Sequence, residues 1–174
     1  MLLDDKDLAE VVNLRRALHR NPELSGEETA TARTVQAFVS QHGPDAIVSG
    51  LGGHGLAAVY AGEAEGPTVL LRSELDALPI EETTNVPHRS VVSLKAHLCG
   101  HDGHSAILAA VAMHLGRRRP RKGRVVLLFQ PAEETGDGAA AVLADPAFAQ
   151  VAPDWAFSLH NFPGLPLGEA TIKE

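Results

Sequence analysis

The sequence predicts an α/β fold, a largely parallel sheet with helices on both faces. Two observations carry this expectation. Segments with helical spacing of apolar residues alternate along the chain with short apolar runs, the order of a sheet built from strand–helix units. Those runs are also continuously apolar, which marks strands buried on both faces rather than half-exposed ones. A chain of 174 residues, 44% hydrophobic and 21% charged, with a mean hydropathy of -0.03, has a globular composition and a length suited to one core.

The elements follow in order. From residue 6 to 20, Leu8, Val11, Val12, Leu14 and Leu18 line one helical face, and Pro22 ends the helix. Ser25 and Glu28 have capping-box spacing and open a second helix, whose stripe of Ala30, Val35, Ala37, Phe38 and Val39 runs to Gly43 and Pro44. Residues 56–60 and 68–71 are apolar runs bounded by Gly and Pro, and read as strands. Residues 76–97 are polar and aperiodic. Ile107, Leu108, Val111, Ala112 and Leu115 define a third helix over 104–115, closed by Arg117, Arg118, Arg119 and Pro120. A strand at 125–129, a small-residue helix at 138–144 and a strand at 155–159 complete the alternation.

Charge narrows the function. Fifteen Lys and Arg against 22 Asp and Glu give a net charge of -7, which offers no electrostatic ground for binding nucleic acid or a membrane surface. The basic residues at 117–124 read as a solvated helix end and loop. No run approaches the roughly 18 apolar residues of a membrane helix, and residues 1–7 carry acids where a signal peptide carries bases. The expected location is cytoplasmic. Cys99 is the only cysteine, so no internal disulfide forms. Aromatic residues at 4% argue against a base-stacking surface.

The polar residues that call for explanation stand just after predicted strands: Glu74 and Asp76, Glu133 and Glu134, and His160, with Cys99-Gly-His101-Asp102-Gly-His104 in a loop. Loops at the carboxyl ends of parallel strands share one rim of the sheet, so these residues can converge. Cys99 and His101 are two apart and point to one side of an extended segment, a thiolate and an imidazole suited to zinc and its neighbours. Adjacent Glu133 and Glu134 point apart, leaving one free as a base if the other ligates. Taken singly, each has a plainer reading: a packed cysteine, two solvated acids, a core-edge histidine. Asp76 reads either as a turn residue or as the carboxylate that orients an imidazole. Asp102 and His104 read as capping or orienting residues at a helix start. Together the set reads as a hydrolytic metal site.

The segments Leu18-His19-Arg20-Asn21-Pro22-Glu23-Leu24-Ser25, Leu71-Arg72-Ser73-Glu74-Leu75-Asp76-Ala77-Leu78-Pro79-Ile80, Cys99-Gly-His101-Asp102-Gly-His104, Gln130-Pro131-Ala132-Glu133-Glu134 and Leu159-His160-Asn161 resemble the M20 metallopeptidase family. The branch they resemble most is that of the N-acyl-amino-acid amidohydrolases, which includes hippurate hydrolases, aminoacylases and auxin-conjugate hydrolases. The resemblance implies two divalent metal ions, Zn or Mn with Co and Ni as further candidates. It implies Cys99 as the bridging ligand, with His101, Glu134 and His160 as further metal ligands. Glu133 would be the general acid/base and Asp76 the residue that orients a ligand. The implied substrate is a small N-acyl amino acid, whose amide carbonyl is attacked by metal-bound hydroxide. Glu74 stands where the family usually has aspartate. Family members also continue into a lid and dimerisation domain and return to complete the catalytic domain with a last ligand histidine. Residues 1–174 are thus expected to be the N-terminal part of the catalytic domain, with impaired turnover and with exposed strand edges that favour homo-oligomers.

Two rivals stand beside this expectation. One is a non-catalytic metal-binding or interaction module derived from a truncated amidohydrolase. The other is a cysteine hydrolase with Cys99 as nucleophile and a histidine as base, a scheme that leaves the glutamate pair without a task.

Overall fold

The computed structural model describes residues 3–166 and 168–172. The expectations that rest on Met1 and on the end of the chain at Glu174 fall outside the described residues. Helix α1 (Asp5–Arg20) opens with a capping box: the Asp4 carboxylate accepts from the Asp7 N–H at 2.9 Å, and that of Asp7 accepts from the Asp4 N–H at 3.0 Å. Helix α2 (Thr29–Ser40) is followed by strands β1 (Ala46–Leu51), β2 (Gly55–Ala61) and β3 (Thr68–Glu74). Helix α3 (His101–Arg117) leads to β4 (Arg124–Gln130), α4 (Gly138–Ala144), a 3₁₀ turn (Pro146–Gln150) and β5 (Trp155–Ser158).

The five strands form one sheet in the order β1-β2-β4-β3-β5. Strand β3 lies parallel to β4 and β5, whereas β2 is antiparallel to β1 and β4. The parallel half is the one foreseen in the sequence. Strand β1 was not, because only Leu51 of its six residues is buried and it carries no continuous apolar run.

The continuous apolar runs have a direct cause in the packing. On one face Leu56, Ala58, Tyr60, Leu127 and Phe129 meet Leu14 and Leu18 of α1, Val35 and Val39 of α2, and Leu108 and Leu115 of α3. On the other face Ala57, Val59, Val126 and Leu128 meet Leu51, Leu70, Val142 of α4 and Val151. Neighbouring residues of β2 and β4 therefore enter opposite cores, so neither can be polar. Strand β5 departs from this. All four of its residues are exposed, Trp155 by 64% and Phe157 by 55%, because β5 is an edge strand paired only with β3.

Two local expectations are corrected. Ser25 and Glu28 do not cap α2. The Glu23 carboxylate does so, accepting from the Ala30 and Thr31 N–H groups at 3.2 and 2.7 Å. Asp102 is not an N-cap either, since α3 begins one residue before it and the cap position is held by Gly100 at φ 99°. The basic cluster is a solvated helix end and loop as expected, with Arg117, Arg118, Arg121 and Lys122 exposed; within it Arg117 makes a bidentate pair with Asp7, and Arg119 bonds Asp45 and lies over the Tyr60 ring. Among the described residues no helix is long and apolar enough to cross a membrane.

Candidate metal centre

The parallel strands deliver their carboxyl ends to one rim. Glu74 at the end of β3 lies beside Gln130 at the end of β4, and β5, parallel to β3, leads into His160. The loop before α3 brings Cys99, and the first residue of α3 is His101. The structure thus gathers all six residues singled out in the sequence, Asp76, Cys99, His101, Glu133, Glu134 and His160.

His101 is the centre of the arrangement and is fully buried. Its Nδ1–H donates to the Asp76 backbone carbonyl at 2.8 Å, with the Asp76 carboxylate 3.3 Å away. A carbonyl only accepts, so Nδ1 carries a proton, and Nε2 is the nitrogen left to take either a second proton, which burial opposes and the Asp76 and Glu74 carboxylates favour more strongly, or a metal. That nitrogen is buried with no hydrogen-bond partner. It faces the carboxylates of Glu133 and Glu134 at 3.6 and 3.7 Å. A buried ring nitrogen that faces two carboxylates is stable when a proton or a cation lies between them.

The second wall is Cys99 and His160. His160 Nδ1–H donates to the Asn161 carbonyl at 2.6 Å, so Nε2 is the accepting nitrogen, and it takes the Cys99 S–H at 3.4 Å. Ligand atoms of Cys99, His101 and His160 fall within 4.8 Å of one another, as do those of His101, Glu133 and Glu134. The two groups overlap at His101, whose one uncommitted nitrogen can serve one ion. Burial, helped by the carboxylates of Glu134 and Glu133, pushes the Cys99 thiol up to about 12. The sulfur therefore stays protonated until a cation displaces its proton. The donor set of one sulfur, two imidazoles and carboxylates fits a zinc-like divalent metal.

The carboxylates are placed by a supporting layer that sequence reasoning missed. Ala132 adopts a left-handed conformation at φ 48°, which turns the chain so that Glu133 and Glu134 reach His101. Its N–H donates at 2.7 Å to Glu28, a fully buried carboxylate. Gly138 is needed beside this turn, because a Cβ there would lie 1.7 Å from the Pro131 carbonyl oxygen. Asp76 accepts from Ser25 Oγ at 2.7 Å and from the Glu134 N–H at 2.9 Å. Burial by itself would raise the Asp76 carboxyl, yet the bonds from His101, Glu134 and Ser25 hold it down at about 2. Asp76 thus fixes the His101 tautomer and the Glu134 backbone together. Ser25 and Glu28, whose spacing is that of a helix cap, serve the site instead; the segment from Leu18 to Ser25 was a signal for Ser25, and Glu28 had none.

Asp102 points away from the metal centre. Its carboxylate accepts from Arg15 Nε and from His19 Nδ1, each at 2.9 Å, and the other nitrogen of His19 lies 3.1 Å from Glu82. This buried chain ties the 82–90 loop to α1 and to the first turn of α3. His104 is likewise buried and bonds Glu74 at 2.8 Å, while Arg72 lies 2.9 Å from the other Glu74 oxygen. Glu74 is therefore neutralised inside the protein.

Comparison with known proteins agrees with this geometry. Residues 70–173 match the peptidase family M20/M25/M40, and the chain belongs to that family. It is 38% identical to the N-acetylcysteine deacetylase of Bacillus subtilis over 94% of its own length and 43% of that protein's. It is 35% identical to the hippurate hydrolase of Campylobacter jejuni, over 88% and 40% of the two lengths. An IAA-amino acid hydrolase of Arabidopsis thaliana, ILR1-like 2, is 37% identical over 94% of this chain and 36% of its own. A crystal structure of a dinuclear metal binding peptidase of the M20 family from Bacillus subtilis superimposes with a TM-score of 0.91 at 36% identity, covering 99% of this chain and 48% of that one. The chain spans about two-fifths of the length of the curated relatives it matches.

Proposed function

We propose that this chain carries the metal-binding part of an amidohydrolase acting on N-acyl amino acids. The observation that supports this most is His101 Nε2, a buried nitrogen without a hydrogen-bond partner, held by the Nδ1–H bond and aimed at two carboxylates 3.6 and 3.7 Å away. In this reading Cys99, His101, Glu134 and His160 would hold two divalent ions, with Zn or Mn the leading candidates. The names of the relatives point to one substrate class, acylated amino acids.

Bound metal would supply Lewis acidity to the amide carbonyl and lower the pKa of water towards about 7. The chain's own residues do the rest. Asp76 keeps the His101 proton on Nδ1. Glu133, with 35% of its side chain exposed against 21% for Glu134, remains open to the cleft. Its carboxylate accepts the proton of the attacking water and passes it to the nitrogen of the leaving amine. The cysteine-hydrolase reading is disfavoured by the same surroundings, because carboxylates beside Cys99 oppose the thiolate that a nucleophile requires.

Residues 1–174 correspond in this proposal to the N-terminal part of a catalytic domain, and by themselves turn substrate over slowly. The bare edge of β5, with Trp155 and Phe157 exposed, favours self-association. Hydrolysis of N-acetyl amino acids and hippurate, lost with a chelator and restored by Zn or Mn, is the test. Metal binding at normal stoichiometry with no hydrolysis would favour the non-catalytic module.

A further inference from the structure

His160 poses a structural problem. It follows an edge strand whose four residues are all exposed, it is exposed itself, and the described residues after it form no helix or strand. A ligand on such a segment loses affinity through the entropy of ordering it. Something must hold residue 160 against Cys99.

The holding groups lie one residue further on. The Asn161 side-chain amide is 2.7 Å from His104 Nε2, and the Asn161 backbone nitrogen is 3.3 Å from the same atom. The amide also rests on Gly100, where a Cβ would come within 2.4 Å of Asn161 Oδ1. His104 is fixed from behind, since its Nδ1–H donates to Glu74 at 2.8 Å and Glu74 is paired with Arg72 at 2.9 Å. His104 is 3% exposed and Glu74 1%, so the line from Arg72 to Asn161 is shielded over most of its length. An amide can present either its oxygen or its NH₂ group, so Asn161 matches Nε2 in either protonation state of the ring. The His104 and His160 rings lie edge to face, 4.8 Å apart.

We propose that His104, backed by Glu74 and Arg72, is a positioning residue that grips Asn161 and thereby fixes His160 over Cys99. This rests on the metal-centre reading. It assigns a task to the second histidine of Cys99-Gly-His101-Asp102-Gly-His104, which that reading leaves out of the ligand set. It also explains why a buried glutamate can stand at position 74, since its charge is needed to hold Nδ1 of His104.

The test is a cobalt titration of the chain followed by its thiolate-to-cobalt absorption, with hydrogen exchange over residues 155–162 measured on the metal-free protein. Asn161→Ala, an exposed and structurally mild change, and His104→Phe, which keeps the ring volume, are each expected to weaken cobalt binding at least tenfold. Both should raise exchange over 158–162 while β2 and β4 stay protected. Glu74→Gln should give a smaller change in the same direction. His160→Ala sets the ceiling, and adding Asn161→Ala to it should cost nothing more, because a grip on an absent ligand has no value. Unchanged affinity and exchange in Asn161→Ala would overturn the proposal, as would a loss that simply adds to that of His160→Ala. Failure of the unaltered chain to bind cobalt would refute the metal-centre reading instead. The exchange measurement would then decide the grip alone, raised exchange supporting it and unchanged exchange refuting it.

Discussion

Replacing Asp76 by Asn separates the two tasks given to this carboxylate. Asp76 is fully buried and accepts from Ser25 Oγ at 2.7 Å and the Glu134 N–H at 2.9 Å, with His101 Nδ1 at 3.3 Å from its other oxygen. An amide of the same shape has one acceptor oxygen. If that oxygen faces Ser25 and Glu134, the NH₂ group meets the His101 Nδ1–H; if it faces His101, the Glu134 N–H is orphaned. The second orientation loses a charge-assisted bond and the first places an N–H against the His101 Nδ1–H, a cost of about 1.5–3 kcal/mol. For a chain of this size that lowers Tm by roughly 3–12 °C. The imidazole also loses its orienting charge, which typically reduces metal affinity about 10–100-fold. Thermal unfolding of the metal-free protein and competitive metal titration read the two effects independently. Asp76→Asn with wild-type Tm and wild-type affinity would refute the reasoning, because the carboxylate would then be neither a support nor an orienter.

Four other outcomes are expected. Glu133→Gln should abolish hydrolysis, by about 10²–10⁴-fold as for loss of a general base, with metal content unchanged, whereas Glu134→Gln should lose metal; elemental analysis beside an activity assay distinguishes them. Gly138→Ala forces a Cβ to within 1.7 Å of the Pro131 carbonyl oxygen and should destabilise the chain by about 3 kcal/mol in urea unfolding, weakening metal binding as the 131–134 turn shifts. Phe129→Ala, emptying a fully buried site in the core against the α helices, should cost about 3–5 kcal/mol by the same measurement. Stability should fall with acid in two stages. Burial holds the His97 ring down at about 4, so between the ordinary histidine value of 6.5 and about 4 the unfolded chain binds a proton that the folded chain refuses, and stability declines as pH drops through that window. Burial would raise Glu82, yet bonds from Ser90, Thr84 and His19 hold it at about 2, so its stabilisation is present above 4.5 and is lost as pH falls from there towards 2. His97→Phe should flatten the first stage alone, measured as Tm against pH.

The chemistry of the rim was more legible in the sequence than the structure that supports it. Cys99, His101, Glu133, Glu134 and His160 announced themselves because ligand-type residues just after apolar runs have few structural reasons to gather there. The runs in β2 and β4 were equally plain, since strands between two cores admit no polar residue on either side. Strand β1 was hidden by its exposed residues, and the exposure of β5 by a composition that suits a core as well as an edge. Ser25 and Glu28 were misread for a physical reason: a hydroxyl and a carboxylate three residues apart before a helix are capping groups by local rules, and only the tertiary fold brings Asp76 and Ala132 close enough to claim them. Asp102 failed likewise, because its partners Arg15 and His19 lie more than 80 positions away in the chain. Sequence patterns report local bonds and burial well, and a hydrogen bond closed over 50 or 100 residues leaves no periodic trace.

The most direct test of the central claim is the metal content of the purified chain after dialysis against Zn and then Mn, compared with Cys99→Ser. Two ions per chain in the unaltered protein, reduced in the variant, is the predicted result. Background metal in both would contradict it, and would mean that Nε2 of His101 and the carboxylates of Glu133 and Glu134 face one another for some purpose other than holding a metal ion.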